Sequence, residues 1–267
     1  MGADIKTLRT RIKSVDSTLH LTKAMGLVAS SKIRRATDAM NKGKEYSDAY
    51  AQTVEHLMGC KECERSPYLA KREGNRTRLV VVAGDRGLAG GYNANIFRLL
   101  REYPEAQIIP VGKRACDRFA GEVALAEGFS YAQAKTIADE VCRAFVAGEI
   151  DRFGVVCSKY HSMMSQEAYV KWVLPLEAKS TASSVSAIFE PDEMTVLNGV
   201  IPDYVAGILV SCVKESFACE VAARRVAMDS AGKNAQEMID RLSLEYNRAR
   251  QGAITQEITE IVAGSGV

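Results

Sequence analysis

Proline is scarce and unevenly placed: the 267 residues contain six, none before Pro67 and none after Pro202. Proline removes an amide donor and clashes inside a helix, so both ends of the chain are open to long uninterrupted helices. Aromatic residues make up only 7%, with a single Trp, which favours long helices over aromatic-rich β packing. Charge of neither sign dominates, the net being +2, and the composition is that of a soluble globular protein. No apolar run approaches the roughly 20 residues that span a bilayer. A secretory leader is not expected, since the charged, periodic pattern starts almost at Met1. Myristoylation is not expected either, because Lys6 stands where that motif needs Ser or Thr.

Disulfides are not expected. Seven cysteines in a chain this long suggest reduced thiols in a cytosolic compartment. Cys60 and Cys63 have the spacing of half a zinc site. A structural zinc needs four ligands, and neither a second such pair nor a His pair follows, so no metal is expected.

What the sequence does contain falls into three segments. Over residues 1–57, Ile5, Leu8, Ile12, Val15 and Leu19 recur at alternating three- and four-residue steps. The register continues through Thr22, Gly26, Ala29, Ile33, Ala36 and Met40. This is a coiled-coil seam, bulky near the start and small in the middle. Gly26 and Gly43 each cost about 1 kcal/mol of helix propensity relative to Ala and are weak points, not breaks. Over residues 75–191, strand patterns (TRLVVVAG, AQIIPVG, RFGVVCSKYHS, QEAYVKWVLPLE) alternate with helical ones (NANIFRLLREY, KRACDRFAG, YAQAKTIADEVCRAFVAGEI). That alternation predicts a mostly parallel sheet covered by helices, with the last two strands as an antiparallel extension. Over residues 204–267 a proline-free helical pattern returns, with Ile239, Leu242, Tyr246, Ala249 and Ala253 on a second seam. Ala218, Val221, Met228 and Ala235 extend that seam upstream.

Each terminal helix would run on the order of 80 Å, whereas a domain of about 110 residues has a radius of gyration of roughly 13 Å. Neither helix fits inside the globule, and each apolar seam needs a cover. The expected fold is therefore an α/β plus α arrangement: an antiparallel coiled coil of the N- and C-terminal helices carrying an inserted α/β domain. Ten cations lie between Lys6 and Lys44, opposed there only by Asp16 and Asp38. Such an excess suggests an acidic partner surface. Nucleic acid would match the charge, but stacking platforms and nucleic-acid-reading motifs are absent.

The stretch LVVVAGDRGLAGGYNANIFRLL, residues 79–100, has the strand, glycine turn and helix of a phosphate-binding loop. Its glycines fit neither G-x-G-x-x-G nor the P-loop pattern, and no Lys-Ser or Lys-Thr follows. An acidic ribose partner is expected about 20 residues on. Glu105 lies near that distance but in a loop before the second strand. The reading favoured by the residues is a tight chain reversal whose glycines allow positive φ and close packing, with no nucleotide bound.

Three strings carry a resemblance. IKTLRTRIKSVDSTLHLTKAMGLVASSKIRRA, GDRGLAGGYNANI and ESFACEVAARRVAMDSAGKNAQEMIDRLSLEYNRARQGAITQEITEIVAG resemble the opening helix, signature turn and closing helix of the gamma subunits of F-type ATP synthases. They occur in that order over nearly the whole chain. The resemblance implies a Rossmann-like central domain and a coiled coil seated in a hexamer of alpha and beta subunits. It also implies a foot on the membrane c-ring beside the epsilon subunit. The chain would be the rotor shaft, without catalytic residues or cofactors of its own. It would be peripheral to the membrane through the c-ring, on the cytoplasmic face of a bacterial plasma membrane.

Residue by residue, the resemblance places Met25 at the rod–hexamer contact. It implies that Arg9, Arg34 and Arg35 meet an acidic lever segment of the beta subunits. Gln251, Thr255, Gln256 and Glu257 match polar positions that engage the hexamer, and Phe189 and Glu190 match the contact with the c-ring and epsilon. Gly26 and Gly252 depart from the family's usual residues, each lowering local rigidity by roughly 1 kcal/mol. The chain also lacks the cysteine-bearing insertion of chloroplast relatives.

Overall fold

The computed structural model describes residues 2–72, 74–120, 124–177 and 189–266. The chain folds into two units, one of residues 31–223 and one formed by residues 1–30 together with 224–267. Helices α1 (Gly2–Met58) and α5 (Glu193–Gly264) each contribute to both.

In the larger unit the sheet comprises β1 (Thr77–Val82), β2 (Gln107–Val111), β3 (Arg152–Tyr160) and β4 (Gln166–Leu174) in the order β2-β1-β3-β4. Strand β1 is parallel to β2 and β3, while β4 is antiparallel to β3, as the sequence predicts. The strands are separated by α2 (Tyr92–Leu99), α3 (Lys113–Phe119) and α4 (Tyr131–Val146). Alternation in β1 divides the core. Val80 and Val82 face α4 and α5, packing with Phe145, Phe153, Ile201, Leu209 and, from α1, Val54 and Leu57. Leu79 and Val81 face the other side, packing with Tyr92, Ile96, Ala115 and Cys219. A strand buried on both faces reads as a continuous apolar run, and LVVV does.

Local signals fix the ends. Helix α4 starts in a capping box, Ser130 accepting from the Gln133 amide while the Gln133 side chain accepts from that of Ser130. Gly112 lies between β2 and α3 at φ +90°, and a Cβ there would overlap the Ala83 carbonyl oxygen. Of the expected central segment, residues 178–188 lie outside the described residues.

Helix α5 begins at Glu193 rather than near Tyr204, and runs through Pro202. An interior proline costs about 3 kcal/mol. Two features offset the cost. Asp192 caps the helix, accepting from the Thr195 amide and hydroxyl at 2.8 Å each. The first turns then bury Leu197, Ile201, Val205, Ala206 and Leu209. Contrary to the expectation of no run long and apolar enough, an 18-residue window of α5 reaches a mean hydropathy of 1.7, apolar enough to span a bilayer by length and composition alone, and half of that window is buried. Its apolarity is that of a core helix.

In the smaller unit the two seams interlock as expected. Leu19, Thr22, Gly26 and Ala29 of α1 are buried, as are Met228, Ala235 and Leu242 of α5. Gly26 faces Arg225 and Met228, and Gly232 faces Thr22 and Leu19, so the helices are antiparallel. A Cβ on Gly26 would stand 3.0 Å from an Arg225 guanidinium nitrogen. The small seam residue thus makes room for an arginine.

Candidate functional site

The glycine turn after β1 does bind an anion, but one supplied by the chain itself. Glu220 of α5 is 1% exposed. Its carboxylate oxygens accept from the backbone N–H groups of Asp85 and Arg86, at 3.2 Å each. Gly84 permits the approach, since a Cβ there would lie 2.9 Å from the Glu220 carboxyl carbon. The Gly84 N–H donates to Asn93 Oδ1 at 2.9 Å. Paired backbone amides at a strand–helix turn are a general anion receptor, and Glu220 occupies this one.

Asp85 turns the other way. Its carboxylate accepts from the amides of Lys113 (3.3 Å), Ala126 (2.9 Å) and Glu127 (2.9 Å), tying α3 and the following loop to the turn. Leu88 and Gly90 adopt positive φ, +61° and +55°. Nearby Tyr92 is buried, and its hydroxyl is pushed well above the usual phenol range, first by burial and then by the Glu220 charge. Glu105 is exposed just before β2, as its position in the sequence indicates.

A second feature lies at the far end of α5. The antiparallel register that sets Gly26 against Arg225 and Leu19 against Gly232 brings the start of α1 level with about residue 250. Beyond that point α5 continues to Gly264 with no helix beside it among the described residues, a distance of about 20 Å at the helical rise. Every residue from Ile254 to Gly266 is exposed. Ile254 (46%), Ile258 (56%), Ile261 (69%) and Val262 (63%) fall on one face by helical spacing. An uncovered apolar stripe of this kind marks a surface for another molecule.

The residues singled out from the sequence are distributed as follows. By helical spacing Gln251 continues the stripe one turn before Ile254, Thr255 and Glu257 border it on either side, and Gln256 points away. All four are exposed. The Thr255 hydroxyl donates to the Gln251 carbonyl at 2.9 Å, and Gln256 donates to Glu260 at 2.9 Å. Met25 is half-buried beside the seam, and Arg9 is exposed. In the larger unit, Arg34 and Arg35 are exposed. Phe189 there is half-buried, its ring centroid 5.9 Å from that of His56, and Glu190 is exposed.

Sequence reasoning missed Glu220 and the isoleucine stripe. Glu220 had a signal: a carboxylate one residue before Val221, which is on the seam, within a run of small residues. The stripe had the three-four spacing of a seam that continues after its partner has ended.

Cys63 is buried at the short 3-10 turn Lys61–Arg65, and its thiol is pushed up to about 11, chiefly by burial and then by the neighbouring Cys60. A thiol so raised is a poor nucleophile and a poor metal ligand at neutral pH. No group of three or more potential metal ligands occurs among the described residues.

The family model described as ATP synthase matches residues 4–266. The ATP synthase gamma chain of Ruminococcus albus is 39% identical, over 98% of each chain. The gamma chain of Acetobacterium woodii, described as sodium ion specific, is 34% identical over 99% of each. Among solved structures, the rotor of the Euglena gracilis mitochondrial ATP synthase superposes with a TM-score of 0.66 at 19% identity. That match covers 95% of this chain and 100% of the Euglena chain and shows the shared fold. Full-length identity at this level, with the same fold, places the chain in the ATP synthase gamma-chain family.

Proposed function

We propose that this chain is the central rotor shaft of an F-type ATP synthase. It couples ion flow through a membrane c-ring to ATP synthesis or hydrolysis on a surrounding alpha/beta hexamer. The observation that carries the reading is the unpartnered end of α5, with its apolar stripe continued by Gln251 and flanked by Thr255 and Glu257. A helix that leaves its coiled-coil partner and exposes isoleucines needs an apolar sleeve, and the hexamer supplies one. The cation excess of α1, including Arg9, Arg34 and Arg35, suits an acidic lever on the beta subunits. Met25 and Gln256 join this contact set, while Phe189 and Glu190 meet the c-ring and epsilon.

In this role the chain is non-catalytic and peripheral to the membrane, held there through the c-ring. In a bacterium that is the cytoplasmic face of the plasma membrane. Each orientation of an asymmetric shaft favours one beta conformation by its contact energy, and that differential shifts nucleotide affinity. A nucleotide-dependent enzyme built on the glycine turn loses its receptor, because Glu220 already takes the Asp85 and Arg86 amides. The test is reconstitution with cognate alpha and beta subunits. Restored ATP hydrolysis is the expected result, and its absence overturns the reading.

A further inference from the structure

In the unit of residues 31–223, both long helices are joined to the sheet by polar groups that the rotor reading does not use. On α5, the buried Glu220 carboxylate holds the Asp85 and Arg86 amides. From the same turn, the Asp85 carboxylate holds the amides of Lys113, Ala126 and Glu127. The Glu127 carboxylate then pairs with Lys32 of α1. Tyr46 lies against Gly207 and Gly43 against Ser211, and this antiparallel register brings Lys32 level with Glu220. The connections therefore close a ring, from α5 through the turn and the 126–127 loop to α1, at one height. That height is next to residues 31 and 223, where this unit ends on each helix.

We propose that Glu220 and Asp85, with the Lys32–Glu127 pair, form a clamp through which turning force passes between the α/β domain and both helices. The proposal rests on the rotor reading and adds where the shaft is gripped. Apolar contacts resist separation but slide and rotate cheaply, since burial is non-directional. Hydrogen bonds, unlike apolar contacts, are directional, so a carboxylate held by two backbone amides resists twisting of α5 against the sheet. Glu220 is sealed from solvent, so water does not replace the bonds as they strain. Glu220 and Asp85 act as positioning residues: neither is proposed to touch nucleotide or ion.

The test uses the full chain assembled with its cognate subunits in sealed vesicles. ATP hydrolysis and ATP-driven ion uptake are measured together, the latter with pH-sensitive and sodium-sensitive dyes. Hydrolysis reports assembly, and ions moved per ATP report force transmission. Glu220→Ala is expected to lower ions per ATP while hydrolysis persists. Lys32→Glu and Glu127→Lys alone each lower the ratio, and the double exchange K32E/E127K restores it. A merely structural loss would lower hydrolysis along with the ratio, whereas a loosened clamp lowers the ratio alone. Should Glu220→Ala fail to fold, the exchange series decides, because both its residues are solvent-accessible. Unchanged ratios across the exchange series, beside a working unaltered chain, overturn the clamp alone. An unaltered chain that restores no hydrolysis overturns the rotor reading and the clamp with it.

Discussion

Replacing Ile254, Ile258 and Ile261 by serine tests the unpartnered end of α5 directly. Their exposures of 46%, 56% and 69% leave roughly half of each side chain to be covered by a partner. Full burial of an isoleucine contributes about 1.5–3 kcal/mol, so completing it contributes about 1 kcal/mol per residue. Summed, the three residues give about 3 kcal/mol, or roughly a hundred-fold in dissociation constant. The isolated chain should not notice, because exposed substitutions away from caps and core stay within about 0.5 kcal/mol. The assay titrates fluorescently labelled chain with assembled alpha/beta hexamer and measures thermal unfolding of the same variant alone. Weakened binding with an unmoved unfolding midpoint is expected. Undiminished binding would refute the stripe as a docking surface. A lowered midpoint in the isolated chain would show that these residues pack against the chain itself.

Other predictions concern the larger unit. Gly112→Ala should destabilise by about 3 kcal/mol or more, combining a disfavoured backbone with overlap on the Ala83 carbonyl. Gly148→Ala, at φ +77° but with only Arg72 nearby at 3.7 Å, should lose only about 1 kcal/mol. Gly199→Ala, helical and with nothing within 4 Å, should gain about 1 kcal/mol; urea unfolding that ranked them otherwise would sink the steric argument. Asp151 is buried and bonded twice by the Arg76 guanidinium at 3.0 and 2.8 Å, which holds its carboxyl below the usual range. A depressed folded pKa adds stability above the unfolded value near 4 and loses it as pH falls through the folded one. Asp151→Asn should therefore unfold earlier at pH 7, and its deficit should shrink steadily in thermal scans towards pH 2. Cys63, with its thiol near 11, should resist a thiol-reactive dye at pH 8 until the chain is denatured; rapid labelling of the folded protein would contradict the burial argument.

Much of the fold is legible because its signals are local. The α1 seam from Ile5 to Met40 is periodic over eleven positions, and each of them is buried or half-buried. Strand β1 announces itself by continuous apolarity, and β3 and β4 by their length and order. The start of α5 is not legible, because it depends on a balance. A proline penalty visible in the sequence is opposed by the burial of Leu197, Ile201 and Val205, which only the tertiary structure reveals. Glu220 is hidden for a related reason. One glutamate in a helical run looks solvated, and only the turn more than 130 positions earlier makes it a buried ligand.

That pairing also explains why the turn resembles a nucleotide site without being one. Backbone amides converging after a parallel strand present partial positive charge whatever the anion. Left empty and dry, the Asp85 and Arg86 amides would each carry the cost of an unsatisfied donor, about 1–3 kcal/mol. A fold that retains the turn therefore needs an anion, either a diffusible phosphate or a fixed carboxylate. A phosphate comes and goes with concentration, so a domain stabilised by one would loosen whenever it left. Glu220, covalently part of α5, is always present and brings the helix with it. The geometry that elsewhere holds a cofactor here holds the shaft.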